Sequence, residues 1–234
     1  MALEDKLIEV AENIPKVYDA GKAEGKDKEW NLFWDALQNN GTRTVYSRVF
    51  QGGGWTKESF KPKYDMKPTN VYYMFAASQI EGDLVEILED LGVELDFSQA
   101  TADTNYMFSG AKFTRVGVID TSSMGGIYQT FMSMYNLVTI DKLILKDDGS
   151  QSFISPFSGC WALENLTIEG KIGKAFVIGN SPKLTHDSLM SIINALYDYS
   201  GTSTTQTCTL GAQNLAKLTE AEIKMATDKG WSLS

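Results

Sequence analysis

Four phenylalanines constrain this chain more than any other feature: Phe75, Phe108, Phe131 and Phe157, separated by 33, 23 and 26 residues. Small or turn-forming residues follow each one: Ala76-Ala77-Ser78, Ser109-Gly110, Ser133, and Ser158-Gly159. An apolar triplet spaced L-x-x-L-x-L comes next. It is Phe113/Val116/Val118 in one unit, Ile140/Leu143/Leu145 in the next and Leu163/Leu166/Ile168 in the third, with Leu137/Ile140 an equally good register for the second. Such a spacing suits a short strand that lays alternate residues into a core. One unit of this kind cannot bury its apolar face alone. Neighbouring units must stack, and their strands then form a parallel ladder over a continuous core. The stretch from Asn70 to Gly179 is therefore expected to be a stack of irregular repeats. The alternative is a non-repetitive α/β domain in which the Phe spacing is coincidence.

Composition narrows the function classes. The 234 residues suffice for one sizeable core or two smaller ones, and 43% of them are apolar. A net charge of −9 argues against a nucleic-acid backbone or an anionic membrane as partner, because both demand clustered Lys and Arg. Cys160 and Cys208 are the only cysteines, too few for a disulfide framework or a zinc site, and they read as reduced core thiols. No run of about 18 apolar residues exists, so no membrane insertion is expected. The first residues carry Glu4, Asp5, Glu9 and Glu12 with no hydrophobic stretch between them, which does not read as a signal peptide. A cytosolic origin is expected, unless export happens by lysis or by assembly into a particle.

The flanks read as helix and caps. Leu3, Leu7, Val10, Ile14 and Val17 form a heptad seam over residues 1–21, expected to be an N-terminal helix that oligomerises the chain, or else an amphipathic helix packed on its own domain. The polar, glycine-bearing stretch 21–28 is a linker, and residues 22–69 an N-terminal cap. Within that cap, 29–39 reads as a helix with Trp30, Phe33, Trp34 and Leu37 on one side. Residues 83–90 read as a short helix ended by Gly92, and Val93, Leu95 and Phe97 as the first strand of the stack, which runs over 70–183. Residues 184–234 form a helical α/β C-terminal cap with two matching helix starts. Thr185 is an N-cap stapled by Leu184 and Leu189, and Thr219 opens a capping box with Glu222.

Few residues invite a chemical reading. His186, the only histidine, stands beside Asp187 with Ser181 and Ser188 nearby, yet it lies in a helix start that capping already explains. Glu81, Asp83, Glu86, Glu89 and Asp90 could pair as glycosidase carboxylates, but acids on a short helix are more often a solvated face. Gly52-Gly53-Gly54 lacks the Gly-Lys-Ser/Thr of a phosphate loop, and Asp147-Asp148-Gly149 lacks the spacing of a calcium loop. No catalytic residue, cofactor or metal ligand is expected. Tyr72, Tyr73, Tyr106, Tyr128 and Tyr135 cluster about the repeat anchors. They serve either as packing on the turn side or as a recognition surface, for which large rigid rings are suited.

The unit Phe157-Ser158-Gly159-Cys160-Trp161-Ala162-Leu163-Glu164-Asn165-Leu166-Thr167-Ile168 resembles the BspA-like class of bacterial leucine-rich repeats, F-x-x-C-x-x-L-x-x-[LI]-x-[LI]. The other units lack the cysteine. The arrangement is also similar to phage and prophage structural proteins. These place FWDALQNNGTR (33–43) and GWTKESFKPKYD (54–65) before such repeats and close with blocks like those at 184–231. The resemblance implies an α/β fold, a short leucine-rich-repeat-like solenoid with a parallel strand ladder. It implies a non-enzymatic tail, baseplate or fibre-associated protein located in the virion. Its partners would be other virion proteins or a host-surface protein or glycan, engaged as a homo-oligomer, with a trimer one possibility. A bacterial cell-surface or secreted adhesin with the same repeats is the alternative.

Overall fold

The structure, a computed structural model, describes residues 33–52, 54–102 and 104–234. The expected seam residues Leu3, Leu7, Val10, Ile14 and Val17 lie outside the described residues, as does Trp30. The protein is a mixed α/β structure built on parallel strands. Its elements in chain order are β1 (Gly82–Asp83), α1 (Leu84–Leu91), β2 (Phe113–Asp120), β3 (Gly126–Tyr128), β4 (Thr139–Ile144), β5 (Ser152–Ile154) and β6 (Asn165–Glu169). They continue with β7 (Phe176–Val177), α2 (His186–Ala195), β8 (Gln206–Thr209), α3 (Ala212–Leu215), α4 (Glu220–Asp228) and β9 (Trp231–Leu233). Three sheets result, ordered β1-β2-β4-β6, β3-β5 and β7-β8-β9, and every named pairing is parallel.

The core is organised by a column of phenylalanine rings. Phe75 stacks on Phe108 at 5.3 Å and 2°, Phe108 on Phe131 at 5.8 Å and 7°, and Phe131 on Phe157 at 5.4 Å and 9°. The column reaches back one unit before Asn70, because Phe50 stacks on Phe75 at 5.0 Å and 24°. Residues 46–52 thus form the first rung inside the segment read from sequence as a cap. The backbone repeats with the rings. In each rung the N–H of the ladder Phe donates to the carbonyl one residue before the next Phe: Phe50 to Met74, Phe75 to Met107, Phe108 to Thr130 and Phe131 to Pro156, at 2.7–3.0 Å. The residues two before and two after donate in the same register, as Tyr73 does to Asn105 and Ala77 to Ser109.

Beside the column, the four-stranded sheet buries Val116, Ile140 and Leu166 in one row and Ile119, Leu143 and Ile168 in the next. Here the expected triplet of β2 is corrected. Val118 is half exposed, and Ile119 takes its place in the core. The reason is register: Val118 lies opposite Lys142 and Ile119 opposite Leu143, while an irregularity between Ile140 and Leu143 sets three residues of β4 against two of β6. The strand expected at Val93, Leu95 and Phe97 is also absent. Leu95 makes a single bridge to Met66, and β1 supplies the edge instead. The outer face of the sheet is tied by charge. Arg115 reaches Asp141 with two bonds of 2.8 Å and Asp83 at 3.2 Å, which raise the guanidinium pKa above its ordinary value.

A helix adjoins each end of the sheet, α1 following β1 and α2 packing on β6. At the first end, Asp83 caps α1 through the amides of Val85 and Glu86, and Gly92 stops it in the left-handed conformation. At the other end α2 lies along β6. Ser188 and Ser191, one helical turn apart, accept from the amides of Leu166 and Ile168 at 2.9 and 2.8 Å. Two donors that a free edge would present are thereby satisfied. The N-cap Thr185 and the capping box of Thr219 with Glu222 form as the sequence predicts. In the N-terminal part, fully buried Gln38 accepts from the amides of Lys63 and Tyr64 and donates to Tyr64 O, fastening 63–64 over a cluster of Trp34, Trp55, Phe60 and Phe50. Cys160 and Cys208 are free and buried, and burial pushes both thiols up to about 12.

Candidate recognition surface

Every rung has the same two strained points. The residue two before the ladder Phe has positive φ in all five rungs: Arg48 (58°), Tyr73 (53°), Tyr106 (57°), Gln129 (51°) and Ser155 (45°). The residue two after does as well: Gly52 (92°), Ala77 (56°), Gly110 (70°), Ser133 (60°) and Gly159 (83°). Glycine adopts this region at no steric cost, whereas a residue with a Cβ is strained there by on the order of 1 kcal/mol. After the Phe, three of the five positions are glycine. Before it, none is.

In the column before the Phe, the side chains of the first three rungs meet one another. Tyr73 and Tyr106 stack at 4.6 Å and 24°, Tyr72 meets Tyr73 edge-on at 4.6 Å, and the exposed Arg48 guanidinium lies 5.0 Å from the Tyr73 ring centre and 5.4 Å from that of Tyr72. Desolvation by these neighbours pushes the Tyr73 hydroxyl above its ordinary pKa, with Tyr72 and Tyr106 adding to the effect. Tyr128 belongs to the next rung. Its carbonyl accepts from the amide of Tyr106, and its ring lies where a Cβ on Gly126 would sit, 2.4 Å from the ring. Three of the five tyrosines named from sequence, Tyr72, Tyr73 and Tyr106, therefore meet on the turn side, whereas Tyr128 ends β3 with its ring against Gly126. Tyr135 does not join them: it stands four residues after its ladder Phe and packs on Trp161 at 5.0 Å.

Arg48 and Trp161 were not foreseen. Arg48 becomes legible once Phe50 is read as an anchor, since it then falls in the column of Tyr73 and Tyr106. Trp161 falls in the column of Tyr135.

Of the groups that invited a catalytic reading, His186, Ser188 and Asp83 are engaged elsewhere. His186 Nε2 meets Glu222 Oε1 at 2.8 Å, joining α2 to α4. Ser188 Oγ donates to Glu164 O at 2.9 Å and accepts from Leu166 N. Ser181 is fully buried, and its Oγ has no hydrogen-bond partner among the described residues. Of the acids, Asp83 caps α1 and binds Arg115. Among the described residues no group of three or more His, Cys, Asp or Glu could hold a metal ion, and no helix is long and apolar enough to cross a membrane.

No protein-family model, curated protein or solved structure matches this chain.

Proposed function

We propose that this chain is a non-enzymatic binding protein, a short leucine-rich-repeat-like solenoid that presents its turn face to a macromolecular partner. The observation that carries this reading is the side chains kept at the strained column. Glycine would fit without cost at the position two before each ladder Phe, yet Arg48, Tyr73, Tyr106, Gln129 and Ser155 stand there. Backbone strain held in place of a cheaper residue points to a use for the side chain. Tyr and Arg are the residues that dominate binding energy at protein interfaces. The resemblance sets the biological context: a tail, baseplate or fibre-associated protein of a phage particle, with residues 1–21 joining copies of the chain.

The test is attachment. Labelled full-length chain is added to cells of the bacterium carrying the gene and, separately, to the proteins encoded beside it. Saturable binding that falls at least tenfold in Tyr73→Ala/Tyr106→Ala, with the thermal transition retained, supports the reading. Binding that survives the double substitution refutes the turn face as its seat. Turnover of any bound molecule refutes the non-enzymatic part. Flanking tail genes support the particle assignment, and secretion or surface-anchoring genes in their place refute it. Light scattering of the chain with and without residues 1–20 tests the oligomer, which a monomer unchanged by the truncation would exclude.

A further inference from the structure

Trp161 is the most exposed large hydrophobic residue described, at 59%, and Tyr135 against it is 50% exposed. The two rings pack against one another at 5.0 Å, tilted by 34°, which supports the exposed Trp161 ring without burying it. Trp161 forms one wall of a cleft of about 320 Å³, near the lower size of small-ligand sites. The cleft continues over the turn 179–182 and the start of α3. Its floor is glycine on both sides: a Cβ on Gly211 would come within 3.0 Å of Gly179 O, and one on Gly179 within 3.3 Å of Gly211 N. Side chains are thereby kept out from between these two turns.

The polar groups around this platform are neutral and unspent. No Asp, Glu, Lys, Arg or His lines the cleft. The exposed amides of Asn180 and Gln213, the Trp161 indole N–H and the Tyr135 hydroxyl make no hydrogen bond among the described residues. By contrast, buried Asn214 is fully used. Its Nδ2 donates to Ser181 O and Leu210 O at 2.9 Å each, and its Oδ1 accepts from Lys217 Nζ, which also donates to Pro182 O and Leu184 O. Lys217 is thereby committed to the scaffold and does not offer its charge to a ligand.

An open aromatic face beside uncharged donor–acceptor amides matches one ligand chemistry. A pyranose offers a C–H face to a ring and hydroxyls that both donate and accept, and it carries no charge. Nucleotides and acidic sugars would leave their charge without a partner here. A protein partner would need an interface several times larger than this cleft and ring pair. We propose that the Trp161 cleft is a saccharide-binding subsite for a neutral hexose or N-acetylhexosamine, stacked on Trp161 and held by Asn180 and Gln213. The assignment rests on the cleft alone, independently of the turn-face reading above.

The test uses full-length chain on an array of immobilised neutral hexose- and N-acetylhexosamine-terminated glycans. Tryptophan-fluorescence titration with the free form of the best-bound sugar then follows. Trp34, Trp55 and Trp231 are buried, so among the described tryptophans Trp161 reports the ring contact. The expected result is saturable binding with a Kd of roughly 10 µM to 1 mM, weakened at least tenfold by Trp161→Ala and severalfold by Asn180→Ala or Gln213→Ala. Exposed positions make these variants safe for folding, and an unchanged thermal transition checks it. Tyr73→Ala/Tyr106→Ala is expected to keep the sugar affinity, which separates this site from the turn face. The proposal is overturned if no glycan binds at about 10 mM, if Trp161→Ala leaves affinity unchanged, or if the patch captures a protein and no sugar.

Discussion

The ring column makes a quantitative prediction at Phe108. This side chain has no exposed surface and sits between two parallel rings, Phe75 at 5.3 Å and Phe131 at 5.8 Å, with Phe97 and Phe113 meeting it edge-on at 6.2 Å. Phe→Ala in a core costs about 3–5 kcal/mol, and where a site falls in that range depends on how far its walls can collapse. The walls here are pinned. Phe75 N donates to Met107 O at 2.7 Å and Phe108 N to Thr130 O at 2.9 Å, so neither flanking rung can move in without losing buried backbone bonds. Phe108→Ala is therefore expected at the top of the range, about 4–5 kcal/mol. Phe108→Leu keeps most of the volume and loses the two stacked pairs, each worth about 0.5–1.5 kcal/mol beyond its area, so its expected cost is roughly 1–3 kcal/mol. Urea unfolding reads both. With an m-value near 2–3 kcal/mol/M, Phe108→Ala lowers the midpoint by about 1.3–2.5 M at constant m; its cost is a large share of the roughly 5–15 kcal/mol that holds a typical domain folded. A cost for Phe108→Ala below about 2 kcal/mol, or equal costs for Ala and Leu, would refute the claim that stacked, immobile rungs organise the core.

Three other perturbations probe different parts of the fold. At the strained column after the ladder Phe, exposed Ala77 (φ 56°) replaced by Gly is expected to stabilise by about 0.5–1 kcal/mol. Gly159→Ala is expected to destabilise by more, because φ is 83° and its Cβ would approach Ser133 Cα at 3.2 Å; equal signs in thermal unfolding would contradict this. Ser188→Ala removes the acceptor for Leu166 N–H and leaves a buried donor unpaired, at an expected cost of about 1–3 kcal/mol, with faster hydrogen exchange at Leu166; unchanged protection there would exclude α2 as the edge cover. Glu222 is held below its ordinary pKa, chiefly by the Thr219 backbone amide, then by the Thr219 hydroxyl and His186. A depressed folded pKa means the contribution is complete above the unfolded value near 4.3 and is lost as pH falls through the folded one. The stability gap between wild type and Glu222→Gln should therefore shrink on acidification below about pH 4.3; a gap that widens would reverse the sign of the argument.

Much of this architecture was legible because burial and capping leave local marks. The anchors Phe75, Phe108, Phe131 and Phe157, the helix starts at Thr185 and Thr219 and the stop at Gly92 are each specified within a few residues, and each falls where the sequence places it. What was missed is set by register between segments far apart in the chain. Val118 and Ile119 are equally apolar, and only the pairing of β2 with β4 decides that Ile119 faces Leu143 while Val118 faces out beside Lys142. Phe50 was missed for a related reason. Its rung is followed by the aromatic, proline-bearing stretch 55–68 in place of an L-x-x-L-x-L strand, so the anchor lacks its partner motif and is recognisable only by stacking on Phe75.

The same comparison bears on the surface. An outer side chain in a strand is free to vary and so says little about use. The column two before each ladder Phe differs, because its backbone is strained in every rung regardless of the side chain it carries. With on the order of 1 kcal/mol set against each Cβ there, a surface that served only to cover the turns would be cheaper with glycine, as Gly52, Gly110 and Gly159 are on the other side of the same Phe residues. Packing offsets part of the strain at Tyr73 and Tyr106, which stack on one another, and at exposed Arg48 the contact with the Tyr73 and Tyr72 rings, worth about 0.5–1 kcal/mol, is of the same size as the strain. Arg48→Gly therefore separates the two explanations. Higher thermal stability together with weaker attachment would place the value of this column in recognition, whereas lower stability would return it to packing.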